Sequence, residues 1–330
     1  MQLESRSSGP LTGRVRPPGD KSISHRALIL GALADGTTDI EGLLEGDDVL
    51  RTAAAMRAFG AEATQLGEGR WRVAGTGSAF SEPAAPVDFG NSGTGVRLTI
   101  GAAARFPINV IYIGDASLSS RPMGRILAPL TAMGAAALAR MGERLPAAVR
   151  GGRLQAIRHE SPKASAQIKS AVLLAGLGAE GRTEVVEPEA SRDHTERMLS
   201  AFGANVETGA LADGRNWAAV EGGARLHGCA VRVPADPSSA AFAAAAALIL
   251  PGSEILIDQV CLNPLRAGFF ETIADMGADC AALDRGDLGG EPVATLRVRG
   301  SILAAARPPA GRAASMIDEY PILATLAAFA

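Results

Sequence analysis

The sequence has 330 residues, of which 47% are hydrophobic, so it is long enough for two domains with a large core. Its formal net charge of −3 argues against a general nucleic-acid-binding protein, which would carry a basic excess. We expect no signal peptide, because the N-terminal segment has no apolar core; no apolar run is long enough to cross a bilayer, and the three cysteines have unrelated spacings. We therefore expect a cytoplasmic protein with reduced thiols and no membrane partner.

The first predicted helix, SISHRALILGALA, is apolar nearly all round, which indicates a buried helix. Lys21, Ser22 and Arg26 lie in its first turns. Helix N-termini favour anions, so these side chains together suit a phosphate or a carboxylate. A helix cap with salt-bridged flanks is the alternative. The segment is not a P-loop, because Asp20 stands where that motif needs glycine.

A second predicted buried helix follows the glycine-rich segment DFGNSGTGVR, which contains Asn91 and Gly93. Such a loop can bring backbone N–H groups close to an anion. It lacks the GxGxxG spacing, so we do not predict a dinucleotide site.

The next polar segment contains Arg121 and Arg125 on either side of a proline, which suits a carboxylate or phosphate clamp. For the glycine-rich segment the alternative is a tight turn without a ligand, and for Arg121 and Arg125 it is that they are ordinary surface arginines.

Three later segments also place polar residues at the start of predicted helices. Ser165 and Gln167 precede an apolar helix and are candidates to bind ligand hydroxyl groups or phosphate oxygens. Arg192 lies in the charged segment SRDHTE, and Asp318 lies in SMIDEYP as a candidate general base. Helix capping is the alternative for each segment. Cationic or polar groups at the N-termini of equivalent helices predict a shared anion site.

The sequence also contains an internal repeat. Amphipathic helices are predicted to end at glycines spaced by 69–74 residues, namely Gly60, Gly134, Gly203 and Gly277. Five apolar helices alternate with them, the fifth predicted to begin near Ile317, and short β-branched runs between the helices predict strands. On this period we expect the sequence to end part-way through a repeat.

Two Pro/Gly clusters, at residues 16–20 and 233–237, enclose three repeats. They predict two crossings between domains, with one domain at 19–234 and a second formed by 1–18 plus 235–330. Two ordinary surface loops are the alternative.

Seven segments in this order resemble the motifs of the 3-phosphoshikimate 1-carboxyvinyltransferase (EPSP synthase) family: PGDKSISHRALIL, DFGNSGTGVRLT, IGDASLSSRPMGR, ASAQIKSAVLLAG, RDHTERML, ADPSSAAF and SMIDEYPILA. The resemblance implies an α/β protein with the two-domain enolpyruvyl transferase fold, an inside-out α/β barrel of βαβαββ-type repeats, with the second domain incomplete. It also implies transfer of the enolpyruvyl group of phosphoenolpyruvate to the 5-hydroxyl of shikimate 3-phosphate, with release of phosphate. The expected partners are these two small-molecule substrates, the expected state is a monomer, and no metal or organic cofactor is implied.

The resemblance also implies roles for individual residues. Lys21 and Asp318 are the implied catalytic residues. The implied contacts of shikimate 3-phosphate are Lys21, Ser22, Arg26, Ser165, Ala166, Gln167, Arg192 and Asp318. The implied contacts of phosphoenolpyruvate are Lys21, Asn91, Gly93, Arg121 and Gln167. In the family, alanine at the position of Gly93 accompanies tolerance to the inhibitor glyphosate.

One departure from the family pattern bears on activity. The KESDR-like segment and the later basic residues of the family are not in the sequence, so we expect this chain alone to be inactive. The alternative enzyme is a UDP-N-acetylglucosamine enolpyruvyl transferase, which uses a loop cysteine, but no cysteine precedes Cys229. The alternative of another class is a non-catalytic anion-binding fragment.

Overall fold

The structure is a computed structural model that describes residue 4 and residues 9–77 and 79–330. The chain divides into two compact units. The large unit is Lys21–Val233, and the small unit is the chain up to Asp20 together with Pro234–Ala330.

The elements follow one another in a repeating order of buried helix, strand, amphipathic helix and hairpin. The chain first forms β1 (Thr12–Val15). The first repeat contains α1 (Lys21–Leu33), β2 (Thr37–Glu41), α2 (Asp47–Ala58), β3 (Glu62–Gly67), β4 (Arg70–Ala74) and β5 (Val87–Asp88). The second contains α3 (Gly93–Ala103), β6 (Asn109–Ile113), α4 (Ala116–Ser120), α5 (Gly124–Ala132), β7 (Ala136–Arg140), β8 (Arg144–Arg150), β9 (Leu154–Gln155) and β10 (Arg158–Glu160). The third contains α6 (Ala166–Gly176), β11 (Ala179–Glu180), β12 (Arg182–Glu187), α7 (His194–Ala201), β13 (Val206–Ala210), β14 (Asn216–Glu221) and β15 (Ala230–Arg232). The small unit continues with α8 (Pro237–Ile249), β16 (Glu254–Cys261), α9 (Gly268–Asp275), β17 (Asp279–Leu288), β18 (Glu291–Arg299), a 3₁₀ helix (Ala310–Met316) and α10 (Tyr320–Ala327).

In the described part of the chain, four four-stranded sheets share one topology, which confirms the repeat at the level of the fold. Their strand orders are β15-β2-β4-β3, β5-β6-β8-β7, β10-β12-β14-β13 and β1-β16-β18-β17. In each sheet the first two strands pair in parallel and the other neighbours pair antiparallel. The short strands β9 and β11 form a separate parallel pair.

The core of the large unit is built around its three apolar helices. Almost every residue of α1, α3 and α6 is buried, as their apolar sequences predict, and α3 packs against both of the others. Gly101 permits the close approach of α3 and α6, because a Cβ there would lie 2.3 Å from the carbonyl oxygen of Ala171. The three helices are thus fixed in position by close backbone packing.

The four predicted glycine stops are confirmed. Each lies two residues beyond the end of its helix and has a left-handed backbone, with φ of 97° at Gly60, 108° at Gly134, 91° at Gly203 and 87° at Gly277. Glycine adopts this conformation without a Cβ clash, so it ends the helix at a defined point.

The predicted start of the fifth apolar helix near Ile317 is wrong. The chain forms a 3₁₀ helix through Met316, and α10 begins only at Tyr320. Pro321 lies in the first turn of α10, where its missing N–H costs no helical hydrogen bond, and this favours a helix start just before it. Leu326 is the residue of α10 that is fully buried, and Ile317 is 62% exposed.

Among the described residues, no helix has both the length and the apolar character needed to cross a membrane.

Candidate active site

The N-terminal ends of α1, α3 and α6 surround a cavity of about 410 Å³ in the large unit. A cavity of this size accommodates a small organic ligand. The cavity is lined almost entirely by polar and charged residues: Lys21, Asp48, Asn91, Gly93, Thr94, Arg97, Arg121 and Gln167.

The glycine-rich segment before α3 forms one wall of the cavity. Gly90 has a left-handed backbone, with φ of 53°, and the chain then enters α3 at Gly93. Arg97, one turn into the helix, donates a hydrogen bond from Nη1 to the carbonyl oxygen of Gly93 at 3.0 Å. Arg121 donates from Nη2 to Oδ1 of Asn91 at 2.9 Å. Two guanidinium groups are thereby held at the first turn of a helix, where a negatively charged ligand is already favoured.

The charge of the cavity lining is predominantly positive. Lys21 forms an ion pair with Asp48, which is the one carboxylate among the described lining residues. Burial lowers the pKa of Arg97 below its usual value, and the neighbouring Arg121 and Arg125 lower it further. Crowding of like charges is costly unless an anion shares the site, so the arrangement favours an anionic ligand.

The start of α6 connects this cavity to a second group of candidate residues. Gln167 lines the cavity and donates from Nε2 to Oγ1 of Thr94 at 2.9 Å, which joins α6 to α3. Ser165 is the N-cap of α6, and its hydroxyl accepts a hydrogen bond from the N–H of Ile168 at 3.5 Å. The first turn of α6 is therefore fixed on the side facing α3.

Arg26 of α1 forms hydrogen bonds with residues of α6 and α7. It is only 3% exposed, and it donates from Nε to Oγ1 of Thr195 at 2.6 Å and from Nη2 to Oγ of Ser170 at 2.8 Å. Its Nη1 group donates to the carbonyl oxygen of Ser22 at 2.9 Å. Arg26 thus links α1 to α6 and α7, and Arg192 lies two residues before the start of α7.

Asp318 lies in the small unit, in the short connection before α10. Its Oδ2 atom accepts a hydrogen bond from Nη1 of Arg266 at 3.2 Å, and half of its side chain is exposed. Arg266 itself is buried and is also within ion-pair distance of Asp20 and Asp236.

The five residues assigned to phosphoenolpyruvate by resemblance therefore meet at one cavity. The remaining candidates do not line this cavity. Five of them belong to the large unit, namely Ser22, Arg26, Ser165, Ala166 and Arg192, and Asp318 belongs to the small unit.

Three lining residues were not predicted from the sequence, namely Asp48, Thr94 and Arg97. Thr94 and Arg97 lie in the glycine-rich segment itself. Because Arg97 follows Gly93 by four residues, a helix there would place both on the same face, and the sequence could have indicated this. Asp48 carried no such signal, because an acidic residue in the first turn of an amphipathic helix is ordinary.

Comparison with known proteins agrees with these features. The model of the family "EPSP synthase (3-phosphoshikimate 1-carboxyvinyltransferase)" matches residues 5–330. A 3-phosphoshikimate 1-carboxyvinyltransferase of Phenylobacterium zucineum is 56% identical over 99% of this chain and 72% of its own length. A protein of the same name from Afipia carboxidovorans is 58% identical over 99% of this chain and 74% of its own length.

The solved structure of an EPSP synthase from Acinetobacter baumannii superposes with a TM-score of 0.88 at 40% identity, over 96% of this chain and 71% of that one. This agreement confirms the predicted enolpyruvyl transferase fold, and the comparisons do not favour the UDP-N-acetylglucosamine alternative. With a family match over nearly its whole length and relatives above 50% identity, the chain belongs to the EPSP synthase (3-phosphoshikimate 1-carboxyvinyltransferase) family.

Proposed function

We propose that this chain takes part in the transfer of the enolpyruvyl group of phosphoenolpyruvate to the 5-hydroxyl of shikimate 3-phosphate, with release of inorganic phosphate, and that it binds both substrates. The observation that carries the proposal is the convergence of Lys21, Asn91, Gly93, Arg121 and Gln167 on one polar cavity. These residues come from three repeats and are up to 146 positions apart in the sequence.

Phosphoenolpyruvate carries a phosphate and a carboxylate on a three-carbon frame, so its binding site needs several cations close together. Lys21, Arg97 and Arg121 provide them. Arginine presents paired N–H donors that match carboxylate and phosphate geometry, and lysine acts as a compact point charge. The first two residues of α3, Gly93 and Thr94, line the same cavity, and the N-terminus of a helix favours a negatively charged ligand.

We assign shikimate 3-phosphate to the adjoining helix ends in the large unit. In this proposal Ser165, Ala166 and Gln167 at the start of α6 hold the phosphate and the ring. Ser22 and Arg26 contribute from α1, and Arg192 contributes from the segment before α7. The support is the hydrogen bonding of Arg26, which joins α1 to α6 and α7 within the first two turns of each helix.

The proposed chemistry is an addition followed by an elimination. The oxygen of the 5-hydroxyl bonds to C2 of phosphoenolpyruvate while C3 gains a proton, which gives a tetrahedral intermediate. The C2–O bond to phosphate then breaks and C3 loses a proton, which restores the double bond. We assign Asp318 to accept the proton of the hydroxyl and Lys21 to neutralise charge on the departing phosphate.

We also propose that the enzyme is cytoplasmic, acts as a monomer on small-molecule substrates, and binds neither nucleic acid nor a membrane. Three free thiols and a net charge of −3 support this setting.

Calorimetric titration of the full chain with four ligands tests the proposal. Shikimate 3-phosphate should bind, and phosphoenolpyruvate should bind more tightly once shikimate 3-phosphate is present. Inorganic phosphate should bind at least tenfold more weakly than shikimate 3-phosphate, because it lacks the ring hydroxyl groups. Tight binding of UDP-N-acetylglucosamine would contradict the proposed acceptor, and equal binding of all the anions would favour a non-specific anion-binding module.

A further inference from the structure

Lys169 is the one charged residue of helix α6, and it is buried within the large unit. The Nζ atom of Lys169 lies 3.2 Å from Oε2 of Glu187 and 2.8 Å from Oε1 of Glu196. All three side chains are nearly inaccessible to solvent, with Lys169 at 5% and Glu187 at 2% exposure. Burial by itself would lower the pKa of Lys169, but Glu196 and Glu187 together outweigh it and raise the pKa above its usual value. Lys169 is therefore a buried cation held between two carboxylates.

Glu187 has a second set of contacts that Glu196 does not share. Its Oε1 atom accepts a hydrogen bond from the backbone N–H of Ser165 at 2.6 Å. Its Oε2 atom accepts a hydrogen bond from the hydroxyl of Ser191, also at 2.6 Å. Lys169 completes the link, because its Nζ atom donates to the carbonyl oxygen of Ser191 at 3.0 Å. The buried pair of Lys169 and Glu187, here called the brace, thus connects the N-cap of α6 to the segment that precedes α7.

A contribution to stability alone does not explain why Lys169 and Glu187 form a buried ion pair here. Buried ion pairs often contribute less to stability than well-packed apolar side chains of the same volume, because both charges lose their hydration. What the brace does provide is a fixed distance between two segments of the chain. One is the first turn of α6, with Ser165, and the other is the loop with Ser191. Short charge-assisted hydrogen bonds hold both to the same carboxylate.

We propose that Glu187, held by Lys169, is a positioning residue for shikimate 3-phosphate. This inference rests on the proposed function, in which Ser165 and Arg192 belong to the platform for that substrate. Arg192 directly follows Ser191, so the brace sets where the arginine backbone lies relative to the first turn of α6. Neither member of the brace lines the 410 Å³ cavity assigned to phosphoenolpyruvate, and of the residues that do, Gln167 alone follows the braced N-cap of α6. Loss of the brace should therefore weaken shikimate 3-phosphate binding much more than phosphoenolpyruvate binding.

The test compares Glu187→Gln with Glu184→Gln. Both changes remove one carboxylate charge from the same strand, β12, and both side chains are buried and ion-paired. Glu184 pairs instead with Arg158 and Arg182. In calorimetric titrations of the full chain, Glu187→Gln should weaken shikimate 3-phosphate binding at least tenfold, whereas phosphoenolpyruvate binding should change less than twofold. Glu184→Gln should change neither affinity more than twofold.

A purely structural role would lower both affinities together, so the difference between the two ligands is the decisive readout. Ser191→Ala is a milder second variant, which removes only one hydrogen bond to Glu187 and should weaken shikimate 3-phosphate binding about threefold. If Glu187→Gln fails to fold, Ser191→Ala decides the question. Unchanged shikimate 3-phosphate affinity in that variant, or an equal loss for both ligands, overturns the proposal.

Amide hydrogen exchange gives a readout that does not depend on the substrate. In Glu187→Gln the N–H of Ser165 should exchange at least tenfold faster than in the parent, because its acceptor has lost its charge. If the parent chain does not bind shikimate 3-phosphate at all, the proposed function fails, and this exchange rate alone judges the brace. An unchanged exchange rate of the Ser165 N–H would then overturn the proposed role of the brace.

Discussion

Gly93 and Arg97 hold each other at the first turn of α3, because the guanidinium of Arg97 donates to the carbonyl oxygen of Gly93 at 3.0 Å. A Cβ atom on Gly93 would lie 2.9 Å from Nη1 of Arg97 and 3.1 Å from Nη1 of Arg121. Both distances are shorter than ordinary van der Waals contact. A single methyl group at this position therefore displaces a cation that lines the cavity.

Gly93→Ala should weaken phosphoenolpyruvate binding about tenfold, because overpacking by one methyl group costs about 1–3 kcal/mol in a tight site. Shikimate 3-phosphate binding should change less than twofold. If glyphosate occupies the same space, as the family resemblance implies, its affinity should fall further than that of phosphoenolpyruvate. Titration of each ligand measures these changes. Gly67→Ala is the matched control, since a Cβ there meets nothing within 4 Å. Equal effects of the two alanine variants would contradict this account.

Asp48→Asn should strengthen phosphoenolpyruvate binding about two- to fivefold. The substitution removes the one carboxylate among the lining residues and frees Lys21 for the ligand. The Lys21 side chain is 48% exposed, so the lost ion pair should cost little stability. Because the effect is electrostatic, the gain should shrink as salt is raised from low to moderate concentration. Weaker binding in Asp48→Asn at both salt concentrations would show instead that Asp48 is needed to position Lys21.

Gly101→Ala should lower the free energy of unfolding of the large unit by about 1–3 kcal/mol. The added Cβ would meet the backbone of Ala171 at 2.3 Å, and backbone in a packed helix cannot move aside easily. Chemical denaturation followed by circular dichroism measures this change, with Gly67→Ala again as the control. An unchanged denaturation midpoint would mean that α3 and α6 have more freedom than their packing indicates.

Much of the fold could be predicted from the sequence, because the signals were local and repeated. Glycines such as Gly60 and Gly203 mark helix ends by backbone geometry alone, and the structure places each in the left-handed region. The start of α10 was predicted wrongly because the apolar pattern extends back to Ile317. The helix nevertheless begins at Tyr320, next to Pro321. Hydrophobic pattern thus identified the helix, and the position of proline decided where it starts.

The site was predictable only in part, because its residues come from separate repeats. Motif resemblance selected Lys21, Asn91 and Arg121, and the structure brings them to one cavity. Asp48 was not predicted, since its contact with Lys21 depends on how α1 packs against α2. Glu187 was missed for a similar reason. In the sequence it is one more acidic residue at the end of a strand, and its three partners are revealed only by the tertiary structure.

Calorimetric titration of phosphoenolpyruvate into the parent chain and the Arg97→Gln and Arg125→Gln variants, with shikimate 3-phosphate present, tests the central claim most directly. Arg97 lines the cavity, whereas Arg125 is an exposed arginine nearby that does not. A charge-assisted hydrogen bond contributes about 1.5–3 kcal/mol, so Arg97→Gln should weaken phosphoenolpyruvate binding about 10- to 100-fold. Arg125→Gln should weaken it less than threefold. Equal affinities in the parent and Arg97→Gln would contradict the assignment of this cavity to phosphoenolpyruvate.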